Sequence, residues 1–427
     1  MAEPSIRSRE TPLIPYIHDD KTYGADHLSG IIRPAQSTVA YESLPESERI
    51  RAAVLPGLTG IAGGYLKTYG VHFKLNLGRV IASGGQGVVY EGMLETDTGR
   101  EEVLAKVIPN GQTDPFAQNI AFRRVAKEYA VPETLRVVAD LTERFSHLDA
   151  HIPHVMYPGV IPTENGKYYF ILFEHQSVVS LSDLIADASS TNQKLSVQDV
   201  SRIFLPVADV LSFMHEAGYV HRDVKPGNIV IREDDGLVQL IDFGSVKPKR
   251  EAEMIAPTHN LFGTLGYVPP EHFAEKPVGW SPATDSYGLG AAMYHALTGV
   301  PPYFDKKLLR DFDELPHKDE RNKQKILFFY NAFANGDQPT SLYDLRPDLD
   351  SDSGRKMVSL IETAMHPNPD ERVALSDMRG SLFNQLCYGD RRLFVDTKEY
   401  PVYNIERVRR GVRSRKHEKS TVIKPRA

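Results

Sequence analysis

The chain has 427 residues, a formal net charge of −6 at pH 7 and 41% hydrophobic residues, which is enough apolar material for a sizeable core. It contains no run of the roughly 20 apolar residues that a membrane helix needs, and charges and prolines stand at its start where a signal peptide has an apolar block. The single cysteine, Cys387, excludes an intramolecular disulfide and has no neighbours at zinc-ligand spacing. We therefore expect a soluble, cytoplasmic protein without a transmembrane segment, with nuclear import, or export as an effector, left open.

Residues 1–72 are predicted to form a partly irregular N-terminal extension. Scattered prolines are followed by "SLPESERIRAAVL", which is typical of a short helix, and by the glycine-rich "GLTGIAGGYLKTYG". At the other end, residues 389–427 form a basic tail in which nine Lys or Arg residues stand between Arg407 and Arg426. The tail is either an arm that binds an acidic surface, nucleic acid or a membrane or acts as an import signal, or it is a solvated end. Nothing in it indicates sequence-specific nucleic-acid binding.

Between these extensions, a strand-rich part precedes a helix-rich part. The segments "FKLNLGRVIA", "GVVYEGML" and "EVLAKVI" are rich in Val, Ile and Leu and separated by turn residues, which predicts an antiparallel sheet. After "YYFILFEH", apolar residues recur at helical spacing in "SRIFLPVADVLSFMHEAG" and "DSYGLGAAMYHALTG". The pattern predicts an α+β fold with a small sheet lobe (73–175), a mainly helical lobe (176–388) and a cleft between them.

Three stretches carry candidate chemistry. The glycines of "VIASGGQGVVY" would let backbone N–H groups approach phosphate oxygens, although a flexible hairpin has the same composition. Lys106, inside the apolar "VLAKVI", must pair with a phosphate or carboxylate unless it lies on a solvated strand face. Asp242 ends an apolar strand and precedes a glycine, which suits Mg²⁺; Asn228 offers a neutral oxygen, and Asp223 can orient or deprotonate a hydroxyl group.

In order along the chain, the motifs resemble those of the eukaryotic-type (Hanks-type) serine/threonine protein kinase family. They span about residues 73–386 and are "GGQGVVY", "LAK", "HRDVKPGN", "DFG", "GTLGYVPPE", "TDSYGLG", "LTGVPPY" and "HPNPDER". The resemblance implies a bilobal kinase fold, with Asp223 as the catalytic base, Lys225 at the γ-phosphate of ATP and Lys106 at the α- and β-phosphates. It assigns the magnesium ligands to Asn228 and Asp242. The ATP-binding residues that it implies are Ala82, Gly84, Gly87, Val89, Lys106, Glu128, Glu174, Gln176 and Val230.

The resemblance also assigns residues outside the reacting centre. Phe173 would be the gatekeeper of the nucleotide pocket, and Arg372 would pair with Glu271 in a structural contact. His221 and Phe243 would be packing residues.

The sequence departs from the family pattern at the nucleotide pocket. Ala82 replaces the first glycine of the loop and Gln86 its usual aromatic tip, which predicts altered nucleotide affinity. Leu104, on the same strand face as Lys106, replaces a small alanine and predicts a tighter purine slot.

The glutamate that pairs with Lys106 is harder to assign. We select Glu128 over Glu133 and Glu143, because the latter two lie off the apolar stripe of their segment. That choice predicts an additional helix between Glu128 and His151.

Regulation is predicted in the segment after Gly244. Thr264 resembles the threonine that contacts the catalytic loop, and Thr258 is the candidate phosphorylation site because Arg222 could receive its phosphate. The alternative is that Thr258 is an unmodified loop residue.

These features predict an ATP- and Mg²⁺-dependent protein kinase that phosphorylates serine or threonine hydroxyls of a protein substrate and autophosphorylates. Two alternatives remain open. A nucleotide-binding pseudokinase acting as a scaffold or allosteric partner is kept open by Ala82, Leu104 and the uncertain glutamate. A kinase of small molecules is disfavoured by the nearly intact "GTLGYVPPE" and "TDSYGLG".

Overall fold

A computed structural model describes residues 73–389, apart from 85–86, 97–98, 109–114, 142–144, 164–165, 255–263, 275–276 and 316–317. The predictions made for the N-terminal extension, for the basic tail beyond Gly389 and for Gln86, Glu143 and Thr258 lie outside the described residues. Within the described chain, no helix combines the length and the apolar character that crossing a membrane would take.

The strand-rich part forms one antiparallel sheet with the strand order β1-β2-β3-β5-β4. Its strands are β1 (Phe73–Gly84), β2 (Gly87–Thr96), β3 (Gly99–Ile108), β4 (Val155–Thr163) and β5 (Gly166–Glu174). The sheet is buried on both faces at β3, where Val103, Ala105 and Val107 join one apolar cluster and Ile108 joins another. Because side chains alternate along a strand, Lys106 lies on the same face as Ile108, which is the face that packs against the first helix.

That helix, α1 (Pro115–Leu141), has 27 residues and continues through Pro132. The additional helix predicted after Glu128 is therefore wrong, since this segment is the second half of α1, followed by a short 3₁₀ helix (Ser146–His151). The two halves show different apolar stripes because they pack on different cores. Val125 joins the sheet cluster that contains Ile108, and Leu135 joins the cluster of the helical part.

The second part is mainly helical. Its helices are α2 (Leu181–Ser190), α3 (Val197–Glu216), α4 (Lys249–Met254), α5 (Pro282–Thr298), α6 (Lys306–Asp313), α7 (Lys318–Ala334), α8 (Leu342–Leu345), α9 (Asp352–Ala364) and α10 (Leu375–Gly389). Helix α3 begins at a capping box in which Ser196 and Asp199 exchange hydrogen bonds, and α5 ends at Gly299, whose φ of 81° is the left-handed conformation that glycine adopts at low cost. Together with the sheet, these helices confirm the predicted α+β fold.

Short strands carry the candidate catalytic segments. They are β6 (Val178–Ser180), β7 (Tyr219–Val220), β8 (Ile229–Arg232), β9 (Val238–Leu240) and β10 (Lys247–Pro248), and they form the sheets β6-β8-β9 and β7-β10. The loop between β7 and β8 holds Asp223 and Asn228, and the loop after β9 holds Asp242. Both loops emerge from antiparallel ladders, which hold their ends in place.

Candidate active site

The loop between β7 and β8 is anchored by a buried carboxylate. Asp285 of α5 is 1% exposed and accepts the backbone N–H groups of His221 and Arg222, each at 2.8 Å. The ring Nε2 of His215 lies 2.8 Å from the same carboxylate. Burial opposes the charge of Asp285, but its hydrogen bonds, above all the one with His215, outweigh burial and lower its pKa. These contacts hold Arg222 at a φ of 74°, a conformation that is costly for a residue with a side chain.

Asp223 lies at the centre of a polar network. Lys225 donates from Nζ to Asp223 Oδ2 at 2.7 Å, and Thr264 donates from Oγ1 to Asp223 Oδ1 at 3.2 Å. Asn228 donates its amide to the backbone carbonyl of Asp223 at 2.8 Å and to the carboxylate at 3.0 Å. The Lys225 ammonium group also donates to Thr264 Oγ1 at 2.7 Å. The network fixes the orientation of a carboxylate that can accept the proton of an incoming hydroxyl group.

Asp242 is brought to this loop by the backbone. The N–H of Ile241 donates to the carbonyl oxygen of Asn228 at 2.9 Å, which joins the two loops directly before Asp242. Asp242 itself has a φ of 66°, so the chain turns sharply after β9. The next residue, Phe243, is fully buried and meets the His221 ring edge-on with centroids 5.6 Å apart. His221 and Phe243 are thus packed in the core, as expected.

Lys106 joins the sheet part to this loop. Its Nζ donates to Glu128 Oε1 at 2.6 Å and to Asp242 Oδ1 at 3.1 Å. Burial disfavours the ammonium charge, but the carboxylates of Asp242 and Glu128 outweigh burial and raise the pKa of Lys106. The structure thus brings Lys106 to Glu128, the glutamate selected from the sequence. The second oxygen of Glu128 is buried and has no hydrogen-bond partner among the described residues.

The glycine-rich hairpin joins β1 to β2. Gly84 pairs with Gly87 at its neck, and Ala82 pairs with Val89. Gly87 has a φ of 134°, and a Cβ there would lie 2.7 Å from the carbonyl oxygen of Val107, so this position requires glycine. The other departure, Leu104 of β3, pairs with Phe173 of β5.

The remaining predicted nucleotide-binding residues lie at the end of β5, in the segment after it and in β8. Glu174 is the last residue of β5 and is exposed, and Gln176 follows it in the segment that leads to β6. Val230 is buried in β8.

The oxygen donors of Asn228 and Asp242 fit a magnesium ion. Mg²⁺ prefers carboxylate and carbonyl oxygens and is usually held by one or two protein ligands together with substrate phosphates. Asn228 directs its amide nitrogen to Asp223, which leaves its carbonyl oxygen as the donor, and the backbone contact to Ile241 places Asp242 in the adjoining loop. These two residues would hold the ion.

The structure also defines the contacts of Arg222, predicted for regulation, and of Arg372, predicted for a structural ion pair. Arg222 is 8% exposed; its guanidinium carbon lies 4.8 Å from the ring centroid of Trp280, and its Nη1 lies 3.5 Å from the carbonyl oxygen of Ser245. Arg372 forms a bidentate ion pair with Glu271, at 2.7 and 2.6 Å. The pair implied by the resemblance is therefore present.

Sequence reasoning missed Asp285 and Trp280 as residues of this site. Asp285 stands in the quoted "TDSYGLG", which is a signal for it, but its hydrogen bonds reach a loop more than 60 residues earlier. Trp280 carries no motif signal, because its contact with Arg222 depends on the folded arrangement alone.

Comparison with known proteins agrees with this geometry. A family model described as protein kinase domain matches residues 75–383. A probable serine/threonine-protein kinase PknB of Corynebacterium glutamicum is 26% identical over 341 residues, which cover 78% of this chain and 46% of that protein. A probable serine/threonine-protein kinase PknB of Bifidobacterium longum is 28% identical over 251 residues, covering 57% of this chain and 32% of that protein.

The serine/threonine-protein kinase PknB of Mycolicibacterium smegmatis is 27% identical over 232 residues, which cover 54% of this chain and 33% of that protein. The chain thus spans about a third to a half of the length of these curated relatives. The family match, in contrast, covers well over half of the chain and includes every element of the site described above. The chain therefore belongs to the protein kinase domain family.

Proposed function

We propose that this protein transfers the γ-phosphate of ATP to serine or threonine hydroxyl groups of a protein substrate, with Mg²⁺ as cofactor. The observation that carries the proposal is the placement of Lys106, whose ammonium group is shared by Glu128 of α1 and Asp242 of the loop after β9. A lysine held in this way can bind phosphate oxygens beside Asp242, whose loop is joined by the Ile241 backbone to the loop that carries Asp223. The names of the curated relatives, which are serine/threonine-protein kinases, also support it.

In the proposed reaction the chain's own residues orient the reactants and handle one proton. Lys106 binds the α- and β-phosphates of ATP, and the substrate hydroxyl group lies against Asp223. The hydroxyl oxygen bonds to the γ-phosphorus while the bond between that phosphorus and the β,γ-bridging oxygen breaks, which releases ADP. Asp223 accepts the hydroxyl proton, and Lys225 balances the charge that develops on the transferred group. Mg²⁺, held by Asn228 and Asp242, would neutralise charge on the phosphates.

The test is phosphate transfer from radiolabelled ATP with Mg²⁺ to a generic basic protein, followed by phosphoamino-acid identification. Asp223→Asn keeps the shape of the side chain but removes the proton acceptor, and we expect it to lower the rate by roughly 10²–10⁴-fold. Asp311→Asn removes an exposed carboxylate on α6 and serves as the matched control.

Each outcome of this assay has a definite meaning. Label on serine or threonine that depends on Asp223 supports the proposal. Absence of transfer, combined with a rise in melting temperature on addition of nucleotide, would replace it with the pseudokinase alternative. Transfer to small alcohols but not to proteins would indicate a kinase of small molecules.

We also propose that phosphorylation of Thr258 regulates the activity, because positive charge gathers where the segment after Gly244 begins. The pKa of Lys127 on α1 is lowered to about 8, first by burial and then by the nearby positive charges of Lys247 and Arg222. A phosphate would relieve this repulsion and pair with these cations. Phosphatase treatment should therefore lower the rate in the wild type and leave Thr258→Ala unchanged, whereas a wild-type rate that does not respond to phosphatase would remove this proposal.

A further inference from the structure

The backbone at Arg222 is strained and is held by contacts at two places. Its φ of 74° lies in the left-handed region. Arg222 immediately precedes Asp223, so its backbone conformation affects the placement of that carboxylate. Asp285 holds the backbone through the N–H groups of His221 and Arg222. Such strain persists only where the surroundings determine the conformation, and the side chain of Arg222 is held by contacts of its own.

Trp280 supplies this support. Its ring lies 4.8 Å from the guanidinium carbon of Arg222, and the ring itself is 1% exposed. A guanidinium group over the face of an indole is attracted by the negative face of the ring, and the attraction grows when water is excluded. Contact through the face does not use the N–H groups at the edge of the guanidinium, and Nη1 is directed to the carbonyl oxygen of Ser245.

Packing alone does not explain a tryptophan at this position. The indole Nε1–H is buried and has no hydrogen-bond partner among the described residues, which is costly and which phenylalanine would avoid. The ring also stacks on His272, with centroids 4.2 Å apart, and burial lowers the pKa of His272 to about 4. His272 is therefore neutral near pH 7 and adds no positive charge beside Arg222. What the indole offers beyond apolar volume is the strongest π face among the side chains.

We propose that Trp280 is a positioning residue of the phosphotransfer reaction: its ring holds the Arg222 guanidinium and thereby keeps Asp223 oriented toward the acceptor hydroxyl group. The inference rests on the proposed kinase function. Trp280 is buried and contacts Arg222, so its proposed effect passes through Arg222.

The composition of the chain allows a direct test. Trp280 is its single tryptophan, so biosynthetic incorporation of fluorinated tryptophans changes this ring alone. Each added fluorine weakens the negative face of the indole. We expect kcat for a protein substrate to fall stepwise from unsubstituted to tetrafluorinated protein, by about tenfold overall, with KM for ATP within about twofold.

The control for changes in size and packing is the same set of fluorinated tryptophans incorporated into the Arg222→Met variant. In that variant kcat should not change with fluorination. As a second comparison, Trp280→Phe should retain more activity than Trp280→Leu. A similar fall of kcat in both backgrounds would overturn the inference, as would a wild-type series without a trend. If unsubstituted wild type transfers no phosphate, the proposed function fails and this inference fails with it; if it transfers phosphate without regard to fluorination, only the inference fails.

Discussion

Replacing Asp285 by asparagine should weaken both the fold and catalysis, because one carboxylate holds two backbone donors of the catalytic loop. The two oxygens accept from His221 and Arg222 at 2.8 Å each, and the side chain is fully buried. An amide has one oxygen, so one backbone N–H would face the NH₂ group instead. That change loses a hydrogen bond to a charged acceptor, worth about 1.5–3 kcal/mol, and leaves a buried donor unpaired, at about 1–3 kcal/mol. We therefore expect a loss of roughly 3–5 kcal/mol in the free energy of unfolding.

This loss can be measured by urea denaturation, with Asp311→Asn as the exposed control, which should change the free energy of unfolding by less than about 0.5 kcal/mol. The activity should fall as well, in kcat more than in KM for ATP, because Asp285 restrains the loop that carries Asp223 and touches none of the predicted nucleotide-binding residues. A loss below about 1 kcal/mol together with an unchanged kcat would refute the reasoning that Asp285 holds this loop.

Three further predictions follow from other contacts. Arg372→Met leaves the carboxylate of Glu271 without its bidentate partner and should cost about 3–5 kcal/mol of stability in urea titrations, more than the exposed Arg310→Met. Lys127→Gln should raise the melting temperature at pH 7, because the pKa of Lys127 in the folded protein is about 8, below the usual 10.5. The charged lysine therefore lowers the stability of the folded protein by its full amount below pH 8. This loss of stability fades as the pH rises toward 10, where the melting temperatures of the two proteins should converge. Thr264→Val removes the hydroxyl group shared by Lys225 and Asp223 and should lower kcat about tenfold, whereas Thr264→Ser should retain most of it.

The sheet and the main helices could be predicted because their signals are local. In β3, Val103, Ala105 and Val107 lie on one face and Lys106 on the other, and the nearly continuous apolar run around Lys106 is visible in the sequence. The helical spacing of α3 likewise reflects a helix that is buried along most of its length. The polar residues of the site could be found because each stands at the end of, or within, such an apolar segment.

The interpretation of α1 was wrong in part because its sequence carries two apolar stripes. Choosing Glu128 left the residues between it and His151 to a second helix, on the assumption that each helix faces one core. In the folded chain, one helix contacts two cores, so the different stripes mark a change of neighbour and not a break. The contacts of Trp280 and Asp285 could not be predicted for a related reason: they join segments far apart in sequence, and no local pattern records them.

The position of Glu128 within α1 explains why the Lys106 pair depends on both parts of the molecule. Val125 lies one turn before Glu128 and belongs to the sheet cluster, while Val131 lies one turn after it and belongs to the cluster of the helical part. Because the helix is continuous, Glu128 cannot shift without disturbing one of these contacts. Lys106 in turn bonds to Asp242 of the helical part. The contacts of Lys106 with Glu128 and Asp242 therefore join the sheet part to the helical part, and they also position the ammonium group that would bind the ATP phosphates in the proposed reaction.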